Sequence, residues 1–354
     1  MKKIMFCGGG SAGHVMPNVA LMRALKERFD VAYMGTDGIE KDIIRAEGYE
    51  FFTFSAPKLV RGKILKNLDI IPRLNAAVRA CKAILKEQEP CLLFCKGGYA
   101  SLPPALAAKK LKIPVMTHES DLSPGLANRI ISRFATATLT SFPETAQKFA
   151  RGIYCGPPLR EEAIKGSRAR AMEKFGMDAR KTVLVFGGGS GSKKINEAVR
   201  AAAPQICREL NILHVCGRGN ITACDVKGYF QFEYIKDMGL AYACADVAVA
   251  RAGSNSAFEL IVNKIPTLFI PLENGASRGD QVKNAEYFER EGLCRILREN
   301  QLSAESIKEE IFRTEKDTKL INNLNKSQIK CGNNSIIAAI KNTVLLNKNN
   351  QKHA

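Results

Sequence analysis

The chain has 354 residues, 45% of them hydrophobic and 25% charged, with a formal net charge of +18. That length suits two ordinary domains, each burying its own core, and the composition is that of a soluble globular protein. No apolar run is long enough to span a bilayer, which excludes a helical membrane protein. The excess positive charge favours polyanionic partners: nucleic acid, an anionic membrane or a phosphorylated substrate. A basic, merely solvated surface would give the same number.

The N-terminal lysines and short apolar run begin like a signal peptide. IMFC passes directly into glycines, however, with no apolar core or cleavage site, so a cytoplasmic location is expected. The 11 cysteines sit mostly inside apolar segments such as CLLFC and AYACADVAVA. They read as small core residues rather than a disulfide framework, and CLLFC has no partner pair with metal-site spacing.

Apolar strand-like runs alternate with helical patterns along the chain. In the first half KKIMFC, VAYMG, FFTF, CLLFC, PVMTH and ATLTS are predicted strands. A helix is predicted over PNVALMRALKERF, with Pro17 in its first turn. In the second half the strands are TVLVF, NILHVC, FEYI, ADVAVA, PTLFIPL and CRIL. The prolines of CGPPLREE mark a boundary, placing one domain at 1–157 and another at 158–332. SIIAAIKNTVLL forms a closing helix over 333–347, followed by a polar tail expected to fray. Such alternation predicts an α/β fold of two doubly wound parallel sheets.

In that fold ligands lie beyond the carboxyl ends of the strands, so residues just after each strand carry the information. The first strand runs into GGGSAGH, where glycines admit a ligand to backbone amides and His14 adds a group that titrates near neutrality. A tight strand–helix turn explains the same glycines. The dinucleotide fingerprint is poorly matched, and its acidic partner is missing after VAYMG unless Asp37 serves. KGGYASLPP brings a lysine, Tyr99 and a serine to the same rim. HESDLSPGLANR brings His118, Glu119 and Asp121, with Ser123-Pro124 as a plausible helix start.

The second half repeats the glycine turn as FGGGSGSKKIN, without an ionisable group before Lys193. That suits holding a diphosphate by amides and hydroxyls. ADVAVARAGSNSAFELI places Arg251 at a strand end. Ser256 to Glu259 matches a capping box, and Glu259 could equally accept from ribose hydroxyls. No Asp-x-Asp pair occurs in the chain, so helix ends rather than a metal are expected to neutralise a diphosphate, and no cofactor is expected.

Between Lys58 and Lys82, KLVRGKILKNLDIIPRLNAAVRACK sets Leu65, Leu68, Ile71, Leu74 and Val78 at helical spacing. Lys63, Lys66 and other basic residues surround them, as in a helix lying on an anionic membrane surface. An ordinary amphipathic helix packed on the sheet fits too.

GGGSAGHVMP, KGGYASLPPALAA, THESDLSPGLANR, FGGGSGSKKIN and RAGSNSAFEL with IPTLFIPL and RGDQVKNA follow in an order that resembles the MurG family. These are N-acetylglucosaminyltransferases that convert lipid I to lipid II in peptidoglycan synthesis. The resemblance covers nearly the whole chain. It implies the GT-B architecture, two Rossmann-like domains facing across a cleft, with the last helix returning to the first. It implies UDP-GlcNAc and lipid I as substrates and peripheral attachment to the cytoplasmic face of the membrane, with no nucleic-acid partner. The family's first glycine loop falls on Ser11, Ala12 and Gly13, with His14 as the base or a close partner of it. Arg160 matches a donor contact, and Gly189 or Ser190 the phosphate contact of the second loop. Ile235 matches the uracil contact, and Gly253, Ser254, Asn255 and Ser256 line the phosphates. Glu259 takes the ribose and Gln281 the GlcNAc, while Tyr99, Glu119 and Asp121 line the acceptor rim. The alternatives are another GT-B enzyme, such as a glycolipid synthase or UDP-GlcNAc epimerase, and a non-catalytic nucleic-acid-binding protein.

Overall fold

The computed structural model describes residues 1–57, 69–273 and 279–352. They fall into two compact units, one made of Met1–Arg160 with the chain from Cys331 onward and one of Glu161–Lys330.

The first unit runs β1 (Lys3–Cys7), α1 (Ala12–Leu25), β2 (Asp30–Gly35), α2 (Ile39–Ala46), β3 (Glu50–Thr53) and α3 (Ile70–Gln88). It continues with β4 (Leu92–Cys95), α4 (Leu102–Lys110), β5 (Val115–Glu119), α5 (Leu126–Ile131), β6 (Ala137–Thr140), α6 (Pro143–Ala146) and β7 (Gly152–Tyr154). All strand pairs are parallel, in the order β3-β2-β1-β4-β5-β6-β7. Strands such as LLFC are buried throughout because helices cover both faces, which is why they read as continuous apolar runs. Val15, Val19 and Met22 of α1 pack on one face with Ile336, Ile340 and Val344, and Val78, Cys81 and Leu85 of α3 pack on the other.

The second unit runs α7 (Arg168–Phe175), β8 (Thr182–Phe186), α8 (Lys193–Ile206), β9 (Asn211–Val215), β10 (Tyr229–Phe232), α9 (Met238–Cys244) and β11 (Val247–Ala250). Then come α10 (Ser254–Val262), β12 (Thr267–Phe269), α11 (Asp280–Arg290), β13 (Arg295–Ile296), α12 (Ala304–Lys316) and α13 (Thr318–Lys326). Its parallel order is β10-β9-β8-β11-β12-β13. The last described element is α14 (Asn333–Lys352), whose Ile336, Ile340 and Val344 belong to the first unit's core.

In each sheet the order reverses beside the first strand, between β1 and β4 and between β8 and β11. Cys7 pairs with Cys95 and Phe186 with Ala250, so two loops leave side by side at each reversal. Ligands of doubly wound sheets bind at such points.

Several expected boundaries move. The helix expected from Pro17 begins at Ala12, which puts His14 inside its first turn and Pro17 in its second. FEYI is not a strand: β10 lies earlier, at Tyr229–Phe232, where it pairs with β9. The edge strand β7 was not anticipated, because its three residues include the exposed Ile153 and Tyr154. The tail expected to fray continues α14 to Lys352.

Candidate active site

At the first reversal β1 enters Gly8-Gly9-Gly10 and β4 enters Lys96-Gly97-Gly98. Gly10 has φ +87° and Gly98 φ +77°, conformations that side-chain-bearing residues rarely adopt. A Cβ on Gly98 would stand 2.6 Å from the Gly9 carbonyl oxygen, so the two loops touch through bare backbone. Ser11 is the N-cap of α1, and its hydroxyl lies 2.9 Å from Nδ1 of the half-buried His14. The His14 amide donates to the Ser11 carbonyl at 3.0 Å. In the tautomer whose Nδ1 donates to the Ser11 oxygen, the lone pair able to accept a proton is on Nε2.

Of the other residues expected at this rim, Tyr99 is half-buried and packs against Gly10. The lysine and serine of KGGYAS do not face outward. Ser101 is fully buried and donates to the Gly97 carbonyl at 2.6 Å. Lys96 is 2% exposed and donates to Ser120 Oγ. Desolvation pulls its ammonium down to about 8, against the opposing pull of Glu119 and Asp121.

His118 and Glu119 end β5, inside the fold. His118 is fully buried, which holds its pKa well below the usual range and keeps the ring neutral. Glu119 accepts from the amides of Asp121 at 3.0 Å and Gly125 at 2.9 Å, and from Asn128 Nδ2 at 2.9 Å. Burial and the neighbouring Asp121 raise its pKa. These bonds shape the loop before α5, whose N-cap is Gly125, so the start expected at Ser123-Pro124 is not used. Asp121 is half-buried beside it.

At the second reversal β8 enters Gly187–Gly191. Gly191 has φ +75°, and a Cβ there would overlap the Cys216 carbonyl. Gly188, Gly189 and Ser190 are exposed, and a Cβ on Gly188 or Gly189 would meet nothing within 4 Å. The turn is thus tight at its ends and open in its middle. Across the reversal Gly253 caps α10 and is equally open. Ser254 is buried and Asn255 and Ser256 half-buried in the first turn of α10, which presents the helix's positive end.

The capping box expected from Ser256 to Glu259 does not form, since α10 already starts at Ser254 and Glu259 lies in its second turn. Glu259 is 8% exposed, and Oε2 accepts from Tyr242 Oη at 2.7 Å. Arg251 donates to Ser192 Oγ at 2.8 Å, to Glu299 at 2.5 Å and to the Ile270 carbonyl at 3.0 Å. It therefore ties the end of β11 to the segments that follow β8, β12 and β13. Gln281 Oε1 accepts from the Leu272 amide at 3.0 Å, fastening the start of α11 to the segment after β12. Ile235 is buried just beyond β10, and Arg160 closes the first unit, half-buried.

Lys63 and Lys66 lie outside the described residues. In α3 Ile71 is 67% exposed, Leu74 is half-buried and Val78 is in the core, so the apolar stripe turns from solvent to sheet along the helix. Among the described residues no helix is long and apolar enough to cross a membrane.

Sequence reasoning missed Tyr242, Glu299 and the buried Glu40, which reaches the first glycine loop from α2. Only the glycines at 9, 35 and 38 signal Glu40, and their meaning depends on β2 lying beside β1.

Comparison with known proteins agrees with this arrangement. Residues 4–140 match the glycosyltransferase family 28 N-terminal domain and residues 182–340 its C-terminal domain. The chain is 40% identical over 349 residues to the UDP-N-acetylglucosamine–N-acetylmuramyl-(pentapeptide) pyrophosphoryl-undecaprenol N-acetylglucosamine transferase of Clostridium novyi (strain NT), covering 96% of this chain and 98% of that one. It is 41% identical over 348 residues to the protein of the same name from Clostridium perfringens (strain SM101), with the same coverage. The crystal structure of Acinetobacter baumannii MurG superposes with a TM-score of 0.77 at 22% identity, over 97% of this chain and 100% of that one. Staphylococcus aureus MnaA solved with UDP gives 0.67 at 12% identity, over 96% of each. With both domain models matched in order and curated relatives aligned almost end to end, this chain belongs to glycosyltransferase family 28.

Proposed function

We propose that this chain is an inverting glycosyltransferase. It moves GlcNAc from UDP-GlcNAc to the 4-hydroxyl of the N-acetylmuramoyl residue in undecaprenyl-diphospho-muramoylpentapeptide (lipid I), giving lipid II. The observation that carries the reading is the contrast between the two glycine loops. One bears a histidine bonded to Ser11, and the other has an open middle with no ionisable group of its own. The names of relatives at 40% and 41% identity supply the sugars and the lipid.

In this reading the second unit holds the donor. Open backbone at Gly188, Gly189 and Gly253, with the N-termini of α8 and α10, receives the diphosphate as charge builds on the leaving group. Helix ends thus take the part a metal plays elsewhere. Glu259, oriented by Tyr242, accepts from the ribose hydroxyls, and Ile235 lies against the base. The first unit holds the acceptor. His14 takes the proton of the 4-hydroxyl as its oxygen attacks the anomeric carbon, UDP leaves and the configuration inverts. A general base of this kind contributes ~10²–10⁴-fold.

The acceptor's polyprenyl chain requires the enzyme to reach the membrane surface. The exposed Ile71 and the basic residues around α3 supply an apolar point within a positive field, so peripheral binding to an anionic leaflet is part of the proposal.

Labelled UDP-GlcNAc with a short-chain lipid I analogue tests the reaction. A β-linked disaccharide product that requires the acceptor is expected. Conversion of UDP-GlcNAc without acceptor would identify an epimerase instead.

A further inference from the structure

Glu40 sits in the first turn of α2 and is 1% exposed. Its carboxylate accepts from the Gly10 amide at 3.4 Å and the Thr36 amide at 3.1 Å, and from the Thr36 hydroxyl. Three glycines make room for it. A Cβ on Gly9 would overlap Oε1, one on Gly38 would lie 2.9 Å from Oε2, and one on Gly35 would lie 2.9 Å from Cγ. The socket is therefore built from two separate loops, one following β1 and one following β2. The donors that meet the carboxylate among the described residues are two amides and a hydroxyl, the set that receives a phosphate in a nucleotide-binding glycine loop.

We propose that the Glu40 side chain is an internal occupant of the first glycine loop, and a positioning residue for His14. Two consequences follow. The Gly10 amide is spent on Glu40, so the acceptor's diphosphate is held by other groups. The loop is also fixed in place, although glycines alone would leave it wide conformational freedom. Ser11 follows Gly10 directly. Its carbonyl receives the His14 amide at 3.0 Å and its hydroxyl meets the His14 ring at 2.9 Å. Movement of the loop is thereby passed to the base. This inference rests on the sugar-transfer reading, in which His14 accepts the proton.

The test measures steady-state transfer from UDP-GlcNAc to a soluble lipid I analogue by Glu40→Ala and Glu40→Gln, alongside thermal melting. A displacement of about 1 Å in a reacting group can cost ~10²-fold in rate, the loss of kcat expected for Glu40→Ala. The KM for UDP-GlcNAc should stay within about twofold, since donor binding is not involved. Added formate, small enough for the vacated socket, should restore part of the kcat of Glu40→Ala and leave the wild type unchanged. A loss that formate does not relieve, or wild-type kcat in Glu40→Ala, overturns the proposal. Should Glu40→Ala not fold, Glu40→Gln decides. Lowered kcat with wild-type melting supports the inference, and wild-type kcat refutes it. A wild-type enzyme without transfer activity would sink the sugar-transfer reading itself.

Discussion

Tyr242 donates its hydroxyl proton to Glu259 from the helix α9, so the carboxylate assigned to the ribose has one oxygen already committed within the protein. Removing that donor leaves the Glu259 carboxylate less well oriented and short of one hydrogen bond. A bond of this kind to a charged acceptor is worth about 1.5–3 kcal/mol, of which only part reaches the ligand. Tyr242→Phe is therefore expected to weaken UDP affinity up to roughly tenfold, measured by calorimetry, without altering the fold. Unchanged affinity would remove Glu259 from the nucleotide site. His14 was legible at this scale because, of the two GGGS turns, only the first is followed so closely by a histidine. The roles of Glu119 and Lys96 were not. The sequence places both at strand ends, but only the packing shows Glu119 occupied by loop amides and Lys96 buried.

Among the secondary-structure elements, the second glycine loop divides its residues between shape and binding. Gly191→Ala places a Cβ at φ +75° and onto the Cys216 carbonyl. The left-handed conformation alone costs about 1–2 kcal/mol, so a clear fall in urea midpoint is expected. Gly189→Ala meets open space, so it should melt as the wild type does and yet bind UDP more weakly. Equal effects of the two substitutions on stability would contradict this division. On α3 Ile71 projects into solvent, and Ile71→Asp should leave melting unchanged while reducing sedimentation with anionic vesicles. Unaltered vesicle binding would move the docking point elsewhere. The strands were readable because helices on both faces force continuous apolar runs of four or five residues. Where that pressure lapses the reading failed. β7 is an edge strand with two exposed side chains, and FEYI has strand-like composition but no neighbour to pair with beyond Phe232. The start of α10 was misplaced because Ser256 and Glu259 imitate a capping pair inside a helix that already has its cap at Gly253.

Taken as a whole, the molecule carries a buried neutral histidine in each unit, His118 in the first and His214 in the second. Desolvation depresses the His214 pKa to about 3, and its ring nitrogens lie 2.7 Å from Tyr229 Oη and 3.0 Å from Asn196 Oδ1. In the unfolded chain it titrates near 6.5, so between those values the unfolded state binds the extra proton. Stability then rises with pH across that window and is lost as pH falls through it. The slope from this residue is about 1.4 kcal/mol per pH unit. Urea unfolding at pH 6 and pH 5 should therefore show a shallower pH dependence in His214→Gln than in the wild type, by about that amount per unit. Equal slopes would show that His214 is not held neutral. The net charge of +18 acts over the same scale, and in the proposed function it serves an anionic lipid surface and phosphorylated substrates rather than a nucleic acid.

The proposed transfer depends on a division of labour in which one unit grips the nucleotide and His14 of the other activates the attacking hydroxyl. The most direct measurement compares wild type and His14→Ala for lipid I glycosylation and for UDP affinity on the same preparations. The expected result is a kcat lowered by ~10²–10⁴-fold with UDP binding retained. Wild-type turnover in His14→Ala, or loss of UDP binding in parallel with activity, would contradict it.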